Sequence, residues 1–164
     1  MFKHETQVKK FLLKWYSVNA RVLPWRKKAN KTLANPYFVF VSEYMLQQTT
    51  VNTVKNKFND FVLKWPSVNK LARITEPEIL KFWSGLGYYS RARNLLKTAK
   101  IINKSFKNKI PQTYDELIQL PGIGDYTAKA ILGIGFNKSV MPLDANIERI
   151  LVRLHAIDQP IIKV

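Results

Sequence analysis

The chain has 164 residues, of which 46% are hydrophobic, and this content is typical of one globular unit rather than of a disordered chain. It contains no cysteine and only two histidines, so these residues can form neither a disulfide nor a thiolate or histidine zinc site. Lysine and arginine number 27 against 11 acidic residues, which gives a net charge of +16. This charge predicts a polyanionic partner, with nucleic acid favoured over an anionic membrane surface. The alternative is that the excess of lysine reflects compositional bias alone.

Apolar residues recur at the three- and four-residue spacing of amphipathic helices in nearly every segment, so the sequence predicts an all-α protein. Turn signals separate the predicted helices, whose spans are about 5–18, 37–48, 51–64, 67–73, 76–83, 89–105, 113–119, 125–135 and 145–155. A basic loop with Lys27, Lys28 and Lys31 is expected over 26–35. No apolar run reaches roughly 18 residues and the first residues are polar, so we expect no membrane span and a soluble, cytoplasmic location.

The second predicted helix carries one carboxylate, Glu43, among apolar neighbours such as Val41 and Met45. If this face is buried, desolvation raises the pKa of Glu43, and a carboxyl that is partly protonated near neutral pH suits a general acid. If Glu43 lies on the exposed face, it is an ordinary ionised glutamate. Helical periodicity does not decide between these two interpretations.

The segment 83–93 brings two glycines, two tyrosines and two arginines to the start of a predicted helix. Tyr88, and less strongly Tyr89, can wedge or stack against bases, and Arg91 can hold a phosphate. The alternative is a helix start with a packed tyrosine pair that makes no contact with nucleic acid.

A tight glycine turn, residues 120–124, comes directly before the predicted helix that begins at Asp125. Free amides at a helix N-terminus, together with the helix dipole, predict an anion site that suits a DNA phosphate and reads no base. Gly122, Gly124 and Thr127 are its candidate contacts. The alternatives are an ordinary turn between helices and a dinucleotide-binding fingerprint, and the latter needs a preceding strand that the sequence does not predict.

Asp144 takes the N-cap position of the last predicted helix. It is either only a cap or a carboxylate that the helix dipole and amide hydrogen bonds hold anionic, the opposite tuning from a buried Glu43. Two carboxyls whose pKa values are pushed apart are the usual pair for cleaving a glycosidic bond. The bond between a base and deoxyribose is such a bond.

Five motifs, in order, resemble MutY-type adenine DNA glycosylases over about residues 5–157. They are LPWR at 23–26, SEYMLQQT at 42–49, GLGYYSRARN at 85–94, LPGIG at 120–124 and LDAN at 143–146. The resemblance implies the helix-hairpin-helix glycosylase fold. A six-helix barrel is then expected over 25–142, with the hairpin at about 113–136, and a partial second helical domain over 1–24 and 143–164, the latter truncated.

The resemblance also implies a reaction and a partner. Adenine mispaired with 8-oxoguanine or guanine in double-stranded DNA would be flipped into a pocket, where Glu43 protonates it at N7 and Asp144 stabilises the sugar cation. Other positions match further residues of the family. Tyr126 and Asn146 match residues that orient the carboxylates, and Trp25 and Arg26 match residues that line the adenine pocket. Gln48 and Tyr88 match residues that enter the base stack.

Tyr126 stands where endonuclease III, the strand-cutting relative, has a catalytic lysine two positions after the hairpin glycine. The resemblance therefore implies a monofunctional glycosylase, and Glu43 in its motif matches the adenine enzymes. Two alternatives stay open: a catalytically impaired DNA-binding remnant, and a glycosylase of the same fold that removes thymine from T:G mismatches, where a tyrosine can also follow the hairpin.

Members of this family normally continue into four cysteines that hold a [4Fe-4S] cluster and into a domain that recognises 8-oxoguanine. Because this chain has no cysteine, we expect no cluster and no other metal within it. We expect a monomer that is either a shortened enzyme with weak activity or a truncated fragment or remnant.

Overall fold

The structure is a computed structural model that describes residues 5–26 and 33–158. The lysines of the expected basic loop, Lys27, Lys28 and Lys31, lie outside the described residues. Within these two ranges every regular element is helical, which confirms the predicted all-α class. No helix in them is long and apolar enough to cross a membrane.

The described helices follow the predicted order closely. Their bounds are α1 Glu5–Asn19, α2 Pro36–Leu46, α3 Val51–Lys64, α4 Val68–Ala72, α5 Glu76–Trp83, α6 Ser90–Ser105, α7 Tyr114–Ile118, α8 Asp125–Ala130 and α9 Ala145–Leu154. The predicted spans 51–64 and 76–83 agree with α3 and α5 at both ends. Thr50 and Thr75, at the N-cap positions, mark where the two helices begin.

α2 is the central helix of the fold. The side chain of Asn35 caps it by accepting a hydrogen bond from the amide of Tyr37 at 2.9 Å, and Pro36 suits the first turn because its missing N–H has no helical partner there. The helix packs against α3, α6, α8 and the π-helical segment that follows α8. Because neighbours cover nearly all of its sides, its apolar residues are not confined to one face.

α2 ends at Leu46, two residues before the predicted end at residue 48. The guanidinium of Arg91 donates to the carbonyls of Tyr44 and Met45 at 3.1 and 2.8 Å. In a longer helix these two carbonyls would accept from the amides of residues 48 and 49. The helix therefore stops, and Gln48 turns into the left-handed region with φ +54°.

The glycine turn lies between α7 and α8 and is held against α2 and α6. The carbonyl of Pro121 accepts hydrogen bonds from the hydroxyl of Tyr44 and from that of Thr98, the latter at 2.9 Å. Gln47 donates from Nε2 to the carbonyl of Gly122 at 3.2 Å. Two helices therefore fix the position of the turn, and one of them is the helix that carries Glu43.

The structure differs from the predicted α-helix over 125–135 in the second half of that range. It is α-helical to Ala130 and then π-helical over Ile131–Gly135. Gly133 and Gly135 favour the α-helix weakly, and π-turns occur as single turns within α-helices. The amide of Lys138 closes this segment on the carbonyl of Leu132 at 3.0 Å.

Helices α1 and α9 leave their large apolar side chains exposed, for example Phe11 and Trp15 in α1 and Ile150 and Leu154 in α9. No residue of either helix belongs to the buried core. That residues 1–24 and 143–164 form part of a second helical domain stays a prediction.

Gly122 has φ +78°, and a Cβ built on it would lie 3.0 Å from both the Asn94 and the Tyr44 side chains. Gly124 has an ordinary φ of −95° and nothing within 4 Å of a built Cβ. We expect Gly122→Ala to lower the free energy of unfolding by about 1–3 kcal/mol and Gly124→Ala to change it by less than about 0.5 kcal/mol. Urea unfolding of the two variants measures the difference, and equal effects would contradict this account of the turn.

Candidate active site

Glu43 is buried in the last half of α2, with 5% of its surface exposed. Its carboxyl accepts no hydrogen bond from the described residues, so little replaces the water that the ionised form loses. Burial raises the pKa of Glu43 from 4.5 to about 7, and the nearby charge of Arg26 only partly opposes this shift. The buried interpretation of Glu43 is therefore confirmed, and the carboxyl keeps its proton to higher pH than an exposed glutamate does.

Tyr126 connects the charged groups of the site. It is the second residue of α8, is 39% exposed, and its pKa is raised first by partial burial and then by the charges of Glu43 and Asp144. The charge of Arg26 acts on the same hydroxyl in the opposite direction. One phenol therefore lies within electrostatic range of two carboxyls and one guanidinium.

Arg26 brings an unused donor to this site. Its Nε is buried and has no hydrogen-bond partner among the described residues. A buried N–H without an acceptor is unfavourable, and at a functional site it indicates a missing partner. The predicted contact of Arg26 with a bound base fits this observation and stays a prediction.

Asp144 caps α9 as the sequence predicts. Its Oδ1 accepts hydrogen bonds from the amides of Asn146 and Ile147 at 3.0 and 2.8 Å. Oδ2 has no hydrogen-bond partner in the described part of the chain. Asn146 thus binds Asp144 through its backbone amide. The side chain of Asn146 is exposed, and its role in orienting the carboxylates stays a prediction.

Trp25 is packed in the core, and its predicted place in the adenine pocket stays a prediction. Only 2% of its surface is exposed, and its ring packs edge-on against Phe58 with centroids 5.1 Å apart. Its contribution is to fix the backbone directly before Arg26.

The residues predicted for the phosphate contact divide into two kinds. Gly122 is a glycine because the fold requires it, whereas Gly124 faces open space and leaves its backbone accessible to a ligand. Thr127 is buried on the inner side of α8, so its side chain is not available to DNA and the predicted contact is corrected to its backbone at most. The phosphate contacts of the turn itself stay predictions.

Gln48 and Tyr88 are both exposed and line one open cleft, together with Gln47, Ser90 and the edge of Arg91. Tyr88 and Tyr89 are not packed on each other as a buried pair, so that alternative is wrong. Arg91 is buried, and its guanidinium donates to protein oxygens, so its predicted contact with a DNA phosphate is corrected to a structural role.

The sequence did not single out Tyr44 and Thr98, which hold the glycine turn through the carbonyl of Pro121. The one signal available was a tyrosine hydroxyl inside an apolar helix, since a buried hydroxyl needs a hydrogen-bond partner. Its partner lies 77 residues further along the chain, and periodicity does not reveal contacts at that separation.

The residues of this chain do not fit a thiolate-held iron–sulfur cluster. None of the 164 residues is a cysteine. Among the described residues no group of three or more histidines and carboxylates comes together in a way that could hold a metal ion. No step proposed below runs through a metal.

Relatives with similar sequences carry one name. The chain is 45% identical over 148 residues to the adenine DNA glycosylase of Buchnera aphidicola subsp. Baizongia pistaciae, covering 90% of this chain and 41% of that protein. It is 40% identical to the adenine DNA glycosylase of Homo sapiens, covering 96% of this chain and 30% of that protein. The chain thus spans less than half the length of these relatives.

Solved structures with the same fold include a thymine-DNA glycosylase and endonuclease III. A thermostable thymine-DNA glycosylase superposes with a TM-score of 0.78 at 25% identity, covering 91% of this chain and 69% of that one. Endonuclease III in a non-covalent DNA complex superposes with a TM-score of 0.75 at 21% identity, covering 98% and 73%. The second likeness confirms the predicted helix-hairpin-helix glycosylase fold.

The family profile of the HhH-GPD superfamily of base excision DNA repair proteins matches residues 41–162. This range contains the buried Glu43, the glycine turn and the Asp144 cap, and it makes up most of the chain. The chain therefore belongs to the HhH-GPD superfamily of base excision DNA repair proteins.

Proposed function

We propose that this chain hydrolyses the N-glycosidic bond of adenine mispaired with 8-oxoguanine or guanine in double-stranded DNA. The observation that carries the proposal is the buried carboxyl of Glu43, whose pKa of about 7 provides a proton at neutral pH. The adenine DNA glycosylases of Buchnera and human, similar over most of this chain, support adenine as the base.

The reaction uses the two carboxyls in opposite ways. Glu43 donates its proton to N7 of the flipped adenine, and the C1′–N9 bond breaks with its electrons leaving on the neutral base. Asp144 stabilises the resulting cation at C1′ with its unpartnered oxygen. Water then adds to C1′ and returns a proton to Glu43, so the acid is regenerated.

Tyr126 limits the chemistry to hydrolysis. An amine at this position would attack C1′ and lead to strand cleavage, whereas a phenol forms no Schiff base. The pKa of Tyr126 is raised by burial and by both carboxyls, so the hydroxyl stays protonated and can donate a hydrogen bond. The product is then an abasic site in an intact strand.

DNA is the partner that the surface favours. The net charge of +16 attracts a polyanion, and the glycine turn presents backbone near Gly124 to open space. Gln48 and Tyr88 stand at the exposed cleft where a base stack would be entered. The cytoplasmic location and the monomeric state stay predictions.

Two other functions are distinguishable by a panel of duplexes. Removal of thymine from T:G is favoured by the structural likeness to the thymine-DNA glycosylase, at 25% identity, and is compatible with Tyr126 after the hairpin. A non-catalytic DNA-binding remnant would bind every duplex in a salt-dependent way and release no base. Release of adenine alone, from A:8-oxoguanine and A:G duplexes, is the result that the proposal expects.

Replacing Glu43 with Gln removes the transferable proton and keeps the side-chain volume. We expect Glu43→Gln to slow adenine release by about 10²–10⁴-fold while binding to the same duplex is retained. Single-turnover release at enzyme excess measures this, with strand scission read before and after alkali. Scission before alkali would contradict a monofunctional enzyme, and full activity of the variant would remove Glu43 as the acid.

The raised pKa of Glu43 also predicts how stability depends on pH. Between pH 4.5 and about 7 the unfolded chain has released this proton and the folded chain still holds it, so stability falls as pH rises. We expect Glu43→Gln to be more stable than the unchanged chain by up to about 3 kcal/mol at pH 8, with no such gain at pH 4. Urea unfolding at the two pH values tests this, and a pH-independent difference would contradict it.

Asp144→Asn separates capping from charge, because asparagine caps a helix about as well as aspartate. We expect adenine release to slow by about 10²-fold while thermal stability stays the same, since the cation loses its counter-charge. Asp144→Ala is the control and should also lower stability by about 1 kcal/mol. Unchanged activity of Asp144→Asn would leave Asp144 as only a cap.

A further inference from the structure

Two exposed side chains stand on strained backbone at the same cleft. Gln48 has φ +54° and Tyr88 has φ +45°, and both line the cleft between the end of α2 and the start of α6. Residues other than glycine rarely adopt this left-handed backbone conformation, and it persists only where the surrounding structure imposes it. Tyr88 is 62% exposed, so packing of its own ring does not impose it.

The turn that carries Gln48 is held by one buried side chain. Arg91 donates from Nη1 to the carbonyls of Tyr44 and Met45, just before the turn, at 3.1 and 2.8 Å. It donates from Nη2 to the hydroxyl of Thr49, just after the turn, at 2.9 Å. Both ends of the turn are thereby fixed relative to one guanidinium.

The same guanidinium holds the segment that carries Tyr88. Nη2 donates to the carbonyls of Leu86 and Gly87 at 2.7 and 3.1 Å. The guanidinium carbon lies 5.7 Å from the centre of the Tyr88 ring, within the range of a cation–π contact. Arg91 is 6% exposed, so it reaches these groups from inside the protein.

We propose that Arg91 is a positioning residue that presets Gln48 and Tyr88 as a pair for insertion into the base stack beside the extruded base. This inference rests on the proposed function and deepens it. Arg91 itself does not touch the DNA, because it is 6% exposed and both Nη atoms donate to protein oxygens on the two sides of the cleft. Its Nε is buried and has no hydrogen-bond partner among the described residues. A lysine does not replace it, since a single ammonium cannot reach acceptors in two segments at once.

The test compares Arg91→Lys with a matched control on the same helix. Arg93 is exposed and pairs with Glu76 at 2.7 Å, so Arg93→Lys changes the same residue type without touching the cleft. Each variant is assayed on adenine opposite 8-oxoguanine and on the same adenine unpaired in a single-base bulge. In the bulge the base is already partly unstacked, so insertion contributes less.

We expect Arg91→Lys to slow adenine release from the paired duplex by about tenfold or more and from the bulged duplex by less than about threefold. Arg93→Lys should leave both rates within about twofold. Equal slowing on both substrates would mean that Arg91 only stabilises the fold and would overturn the inference. Equal effects of the two variants would do the same.

A second readout does not depend on the chemistry. A 2-aminopurine placed next to the target adenine brightens when it loses its stacking partner, and Arg91→Lys should reduce this rise on binding. If the unchanged chain unstacks the reporter but releases no adenine, the proposed function fails and the positioning role stands. An unchanged rise in Arg91→Lys overturns the role.

Thr49→Val keeps the inference testable if Arg91→Lys fails to fold. This variant has nearly the same shape and removes the hydroxyl that accepts from Nη2 and donates to the carbonyl of Leu86 at 3.3 Å. We expect Thr49→Val to slow adenine release less than Arg91→Lys does. The slowing should again be larger on the paired duplex than on the bulged one. Equal rates on both substrates would overturn the inference.

Discussion

The enclosure of α2 by other helices is the constraint on which the rest of the structure depends. Because α3, α6, α8 and the π-helical segment cover it, a carboxyl on this helix is removed from water, and the pKa of Glu43 rises to about 7. The same enclosure turns Tyr44 toward the glycine turn, where its hydroxyl binds the carbonyl of Pro121. One buried helix thus supplies the acid and locates the turn that faces the DNA.

The remaining parts of the site come to α2 from separate places in the chain. Arg26 precedes the helix, Tyr126 lies in the first turn of α8, and Asp144 caps α9. The charges of Glu43, Asp144 and Arg26 all act on the hydroxyl of Tyr126. Arg91 binds the C-terminal end of α2 and sets the turn after it. The acid and the exposed pair at the cleft are therefore positioned relative to a single element.

Sequence patterns predicted the helices well because caps and periodicity are local, as the agreement of α3 and α5 shows. They could not place Gln48, Trp25, Thr127 or Arg91. The end of α2 depends on a guanidinium 46 residues away, and the burial of Trp25 depends on Phe58 from another helix. Periodicity left Glu43 undecided for the same reason, since its burial comes from helices that approach α2 on its several sides.

The most direct test of this account is the titration of the Glu43 carboxyl itself. Carbon-13 NMR of the chain labelled at glutamate side-chain carboxyls, with Glu43→Gln to assign the signal, follows its chemical shift against pH. The account predicts a midpoint near 7, the pKa that burial gives Glu43. A midpoint near the ordinary value of 4.5 would contradict the claim that this buried carboxyl is the proton donor.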